Sequence, residues 1–430
     1  MRVDVGNCLA SVATPGVPRA ALDRLDERVA AAHERIADGI AQETFGYTAL
    51  ALPDRVRLDR IRRAVAPLEG LDTLLVIGIG GSALGAATLT AALGEDTRVH
   101  ILDNVDPEHV RVLLADCDLS TTGMHVVSRS GTTAETLANF LVARAAFERA
   151  GVDWTDRTIV TTGPEGNLRS LAETHDLPVL DAPPGVPGRF SVFSPVALPA
   201  AAVAGVDLDG LIAGAAAERE RLAGSLFECP AYAYAAATHA LNQRGVSVNA
   251  VMPYGEALER FAEWVGQLWA ESLGKDGLGQ TPARAMGATD QHSQLQLYRA
   301  GPRTTVVSFI RPRERPDVSI PSADMDDLAY LEGQSLGALL DAEFRATEAS
   351  LAAADRPSLR VEIDRLDARG LGRLLYGFEA ATVMAGELAG VETFTQPAVE
   401  WAKEATRDLL RDESSTSGAG FDETDELVVE

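Results

Sequence analysis

Between residues 71 and 181 short apolar runs alternate with helical stretches: LLVIGIG with SALGAATLTAAL, RVHILD with PEHVRVLLAD, MHVVS with TAETLANFLVARAAFERA, RTIVTTG with NLRSLAETH, and LPVLD to close. Apolar runs this short fit strands buried on both faces, and their alternation with helices predicts a parallel, doubly wound α/β sheet. Ligands of such sheets bind at the carboxyl ends of the strands. A second α/β layer of the same class is predicted from Asp209 onward. It has helices through Asn242, a strand at Val246 to Met252 and a helix from Glu256 to Ser272. Strands near Thr304 to Phe309 and Leu359 to Ile363 follow, with helices over Gln334 to Ala354 and Leu366 to Leu388. The expected division is an N-terminal helical arm over 1–65, α/β domains over 66–205 and 206–411, and an acidic, serine- and glycine-rich tail over 412–430, expected to be disordered. The run Arg311, Pro312, Arg313, Arg315, Pro316 reads as a surface loop.

The first strand breaks at once into glycines and a serine, GIGGS at 78–82, ahead of an alanine-rich helix. Such a turn suits an anion: main-chain N–H groups point outward at a helix start, the helix dipole favours negative charge there, and glycine admits close approach. A second loop of this kind, SRSGTT at 128–133, carries hydroxyls at Ser128, Ser130, Thr132 and Thr133 around Gly131. An ordinary helix cap needs one or two of them, not four. Arg129 adds charge or is simply solvated. Gly78-x-Gly80-x-x-Ala83 with Asp103 also permits a dinucleotide fingerprint, which leaves the second loop without a role.

Charge restricts the partners. The 430 residues hold 63 acidic and 38 basic side chains, a net charge of −25, and among the basic residues only Lys275 and Lys403 are lysine. A surface so acidic repels nucleic acid and anionic membrane in ordinary buffer but suits molar salt, where the screening length falls to about 3 Å. The acidity points to a salt-loving cytoplasm; the alternative is a merely acidic protein from a GC-rich genome, which also accounts for arginine over lysine. The chain shows no apolar run of membrane-spanning length and no secretion signal, so a cytoplasmic location is expected. Cys8, Cys117 and Cys229 are far apart and odd in number, so neither a disulfide framework nor a zinc site is expected.

In the helix ending WAESLGKDG, the stripe Phe261, Trp264 or Val265, Leu268 continues to Glu271, which puts a carboxylate where an apolar side chain belongs. That residue is either a proton shuttle or the partner of Lys275 in an i, i+4 ion pair. His292 lies in a polar loop, GATDQHSQLQLY. Arg189 lies in GVPGRFSVFSP at the boundary of the halves, as a hinge arginine or an oxyanion clamp. Gln396 opens QPAVEWAK, with Lys403 about two turns along the helix.

Taken together, GIGGS, SRSGTT, GRFSVFSP, ESLGK, QH at 291–292 and QPAVEWAK resemble the glucose-6-phosphate isomerase family, in order and over most of the chain. The resemblance is to the bacterial type with two sugar-isomerase (SIS) domains, not to the metal-dependent cupin type. It implies a homodimer with active sites at the subunit interface, a sugar phosphate as the small-molecule substrate, and no metal or cofactor. By resemblance, Gly81, Ser82, Ser128, Ser130 and Thr133 hold the phosphate, with Gln396 near the sugar. Glu271 moves the proton between C2 and C1, His292 and Lys403 assist ring opening, and Arg189 stabilises a cis-enediolate. The family often has lysine at Arg129 and glycine at Ala398; neither change removes a functional group.

Overall fold

The computed structural model describes residues 1–322, 326–410 and 428. The tail expected to be disordered lies outside the described residues apart from Val428. The chain forms two compact units, Met1–Thr393 and the segment from Phe394 onward. Among its described residues the first unit contains ten strands: β1 (Arg2–Asp4), β2 (Thr73–Ile77), β3 (Arg98–Leu102), β4 (Thr122–Ser128), β5 (Thr158–Thr162), β6 (Val179–Asp181), β7 (Val248–Pro253), β8 (Thr281–Arg284), β9 (Thr305–Glu314) and β10 (Ser358–Arg365).

They make two five-stranded sheets. The first has the order β3-β2-β4-β5-β6 and is parallel throughout, with Ile77 of β2 opposite Leu102 of β3 and Val126 of β4. Every residue of β2, β4 and β5 is buried, the signature of strands covered on both faces. One side of this sheet packs Leu75, Ile77, Met124 and Val126 against Phe140, Phe147 and Trp154. Because β3 lies on one side of β2 and β4 on the other, the connections leaving β2 and β4 diverge. A crevice opens at the carboxyl ends of these two strands, where open α/β sheets take their ligands.

The second sheet has the order β1-β10-β9-β7-β8 and is parallel except for β1, which runs against β10. The arm over 1–65 therefore does more than pack through its helix Arg19–Ala41, since Arg2–Asp4 adds an edge strand. The arginine- and proline-rich run expected as a surface loop is partly strand, with β9 continuing through Glu314. Its pairing with β7 ends at Pro253–Ile310, so Pro312 lies where one side of β9 has no neighbour in the sheet and a missing N–H costs little. The extension is held to β10 by Arg311–Glu362 (3.0 Å) and Arg365–Glu314 (2.6 Å).

The helices Leu84–Leu93, behind β2, and Glu259–Leu273, behind β7, meet where Thr88 Oγ1 donates to the carbonyl of Arg260 at 3.1 Å. The helix Ala368–Ala389 is buried on nearly all sides. Glu379 in its middle has neither carboxyl oxygen hydrogen-bonded among the described residues, and burial pushes its carboxyl well above the usual range. Cys8 and Cys229 are buried and Cys117 is half-buried. No described helix is long and apolar enough to cross a membrane.

Candidate active site

The loop after β2 opens with a tight 3-10 turn, Gly80–Ser82, and its helix begins at Leu84 rather than at Ser82. Gly80 has φ +57°, a conformation glycine adopts without strain. Gly81 is needed for a close approach: a Cβ there would lie 2.3 Å from the carbonyl carbon of Gly188 and 2.5 Å from the nitrogen of Arg189. The glycine turn is thus seated against the backbone of the GRF turn, Gly188–Phe190. Ser191 Oγ completes the joint, donating to the carbonyl of Gly188 at 2.5 Å and toward that of Gly81 at 3.4 Å.

Across the crevice, the loop after β4 gathers its hydroxyls. Ser128 Oγ is 2.9 Å and Ser130 Oγ 3.3 Å from Thr133 Oγ1, and the N–H of Thr132 donates to Ser130 Oγ at 3.3 Å. Thr133 holds the N-cap position of the helix Ala134–Arg149 yet makes no side-chain cap hydrogen bond. The reading as an ordinary cap therefore fails for Thr133, whose hydroxyl faces its loop neighbours and leaves the helix N-terminus without a side-chain cap. Arg129 is turned away onto the carbonyl of Val186 (2.7 Å), as part of the loop scaffold.

Beside the Gly81–Gly188 joint lies a charged cluster. Arg189 is buried, and its guanidinium donates from Nε to Ser272 Oγ (2.8 Å), from Nη1 to Glu271 Oε2 (3.2 Å) and from Nη2 to the carbonyl of Thr393 (2.6 Å). Burial lowers its pKa, Glu271 opposes that shift and Arg129 adds to it; a guanidinium remains charged throughout. The other oxygen of Glu271, Oε1, accepts from Gln267 Nε2 at 2.9 Å. The carboxylate is aimed from both sides, while its side chain keeps 27 % of its surface open. Arg189 is held by hydrogen bonds to two segments of chain, 271–272 and 393, so it is fixed in place rather than loose.

The alternative pairing of Glu271 with Lys275 is not made. Lys275 Nζ donates instead to the main-chain carbonyls of Glu271 (2.7 Å) and Ser272 (2.8 Å). The last carbonyls of a helix lack donors of their own, and the carboxylate is already occupied by Arg189 and Gln267.

Gln267 was missed in the sequence reading. It stands one turn before Glu271 on the same helix face, a spacing that signals contact, and its amide nitrogen is 2.7 Å from where a Cβ on Gly80 would be. It joins the glycine loop to the carboxylate. Ser272 was also missed, because only the fold brings it to Arg189.

His292 is exposed after the turn Thr289–Gln291 and is not hydrogen-bonded to this cluster, whereas its neighbour Gln291 is anchored on the hydroxyl of Tyr254 and the carbonyl of Glu343. Gln396 and Lys403 belong to the second unit. Gln396 precedes the helix Pro397–Leu410, and exposed Lys403 donates to Glu400 at 2.9 Å, one turn earlier on that helix.

Residues 66–428 match the phosphoglucose isomerase family. The chain is 64 % identical to the probable glucose-6-phosphate isomerase of Halobacterium salinarum over 414 residues, 96 % of this chain and 97 % of that one. It is similar in structure to a hypothetical protein of Thermus thermophilus (TM-score 0.87, 34 % identity, 95 % of this chain and 99 % of that one). It is also similar to a glucose-6-phosphate isomerase of Chlamydia trachomatis (TM-score 0.75, 25 % identity, 83 % of this chain and 73 % of that one).

Proposed function

The chain belongs to the phosphoglucose isomerase family, and we propose that it interconverts glucose 6-phosphate and fructose 6-phosphate through a cis-enediolate with Glu271 as the base. One observation carries this reading: an aimed, solvent-reachable carboxylate pairs with a buried arginine at the contact of the Gly81 and Gly188 turns. The sugar phosphate binds in the crevice between the loops after β2 and β4. Ser82, Ser128, Ser130 and Thr133 donate to it there, together with main-chain N–H groups around Gly81 and at the helix starts. Glu271 takes the proton from C2 of the open-chain aldose and returns it to C1, and the hydroxyl proton moves from O2 to O1, so nothing is gained or lost. The negative charge that develops on the enediolate oxygens is stabilised by Arg189, already desolvated and oriented. Lys403 and His292 assist ring opening, with Gln396 near the sugar. His292, exposed and outside the Glu271 cluster within its own chain, is supplied by a second copy across a dimer interface.

A coupled assay at molar salt tests the reading, with exhaustive chelation beforehand. Turnover of glucose 6-phosphate, with exchange of deuterium at C2, is the expected result; no turnover under these conditions would overturn it. Quenching of intrinsic fluorescence by NAD, without turnover, would favour the dinucleotide reading instead.

A further inference from the structure

We propose that Lys275 is a positioning residue for the isomerisation, its ammonium tying down the main chain of Glu271 and Ser272 and so fixing both the base and the anchor of Arg189. This rests on the reading of Glu271 as the base. The last turn of the Glu259–Leu273 helix ends in carbonyls for which the helix has no further donors. The carbonyl of Ala270 accepts the N–H of Gly274 at 2.9 Å, and that of Leu273 accepts the N–H of Lys275 at 2.9 Å. The two carbonyls between them, of Glu271 and Ser272, are taken by Lys275 Nζ at 2.7 and 2.8 Å. Those same two residues hold Arg189 through their side chains, at 3.2 and 2.8 Å. One ammonium therefore grips from behind the turn whose front face carries the reacting carboxylate.

The lysine is itself held in place. The chain leaves the helix through Asp276 (φ +54°) and Gly277 (φ +73°), and the N–H of Leu278 returns to the carbonyl of Lys275 at 2.8 Å. Its charged surroundings are Arg189 from the GRF turn, Glu271 on the helix just before it, Glu392 and Asp276. Burial first, and then Arg189, draw its pKa down to about 8, with Glu271, Glu392 and Asp276 opposing. Across this range the ammonium becomes an amine, the two hydrogen bonds lose their charge assistance, and the grip on the last turn weakens. Arginine serves as the cation everywhere else in this chain except Lys403, and it does not titrate in this range.

The experiment compares the wild-type chain with Lys275→Met and Lys275→Arg. kcat and KM for glucose 6-phosphate are measured from about pH 7 to about pH 10 at molar salt, per mole of protein shown to be folded by near-UV circular dichroism. For the wild type, kcat is expected to fall several-fold through about pH 8. In Lys275→Met, kcat at neutral pH is expected to drop by about 10- to 100-fold with KM within about threefold, because a displaced base harms the chemical step more than binding. The alkaline fall should then be gone. Lys275→Arg should recover most of the neutral-pH kcat and show no fall through pH 8. Wild-type kcat in Lys275→Met, a flat wild-type profile, or an alkaline fall that persists in either variant would each overturn the proposal. Should Lys275→Met not fold, the pH profile of Lys275→Arg decides alone. Failure of the wild type to isomerise the sugar would refute the functional reading, whereas an active wild type with unaffected variants refutes only this inference.

Discussion

At the ends of β2 and β4 the functional groups come from short consecutive runs, 78–82 and 128–133. At the end of the Glu259–Leu273 helix they come from residues 189, 267, 271, 272, 275 and 393. The first region relies on main-chain N–H groups and on hydroxyls that also bond one another, and Ser130 and Thr132 stand in solvent. In the second a buried guanidinium, a carboxylate, an amide, a hydroxyl and an ammonium each satisfy another member. A cradle of many small neutral donors loses little when one is removed, since each hydrogen bond is worth about 1 kcal/mol net. A desolvated charged network tolerates no such loss, because the partner of a deleted group is left buried and unpaired.

The largest effect should come from the centre of the network. Glu271→Gln keeps the shape and the contact with Gln267 but removes the base, so kcat should fall by about 10²- to 10⁴-fold with KM nearly unchanged. Deuterium exchange at C2 reads the step directly, and undiminished exchange would move the base elsewhere. Next comes Arg189→Lys. It keeps the charge but cannot reach Ser272 Oγ, Glu271 Oε2 and the carbonyl of Thr393 together. We expect kcat lower by about 10²-fold and an unfolding free energy at molar salt lower by about 2 kcal/mol, checked by steady-state kinetics and denaturant titration. A stability loss with intact kcat would make Arg189 structural only. The smallest effects belong to the cradle. Ser128→Ala or Thr133→Ala alone should raise KM about fivefold and leave kcat and folding in place. If either costs as much as Arg189→Lys, the contrast between the two regions does not hold.

The family motifs in the sequence named the residues proposed for the phosphate cradle and also Glu271 and Arg189, but the relations among them were legible only in part. The apolar runs of β2 and β4 announced parallel strands because burial on both faces leaves no polar alternation to confuse the pattern. Their order in the sheet, which opens the crevice between them, has no local signal. β1 and β8 were not anticipated, being three and four residues long, and β1 pairs with a strand near the far end of the chain. The run after Ile310 looked like a loop because prolines punctuate it. Its strand character comes from pairing with β10 about fifty residues away.

The same division runs through the site. Glycine at 80, hydroxyls around Gly131 and a carboxylate on the apolar stripe of a helix are features of local backbone conformation and helical periodicity, and a linear sequence carries such information. Whether Glu271 pairs with Lys275 or with Arg189 is not a local matter. Both cations are chemically able to do so, and the i, i+4 spacing favours the lysine. Tertiary packing decided for Arg189. It sets the GRF turn against Gly81 and brings the guanidinium, stripped of water, to Glu271, Ser272 and the carbonyl of Thr393 at once, while Lys275 takes the last helix carbonyls, those of Glu271 and Ser272.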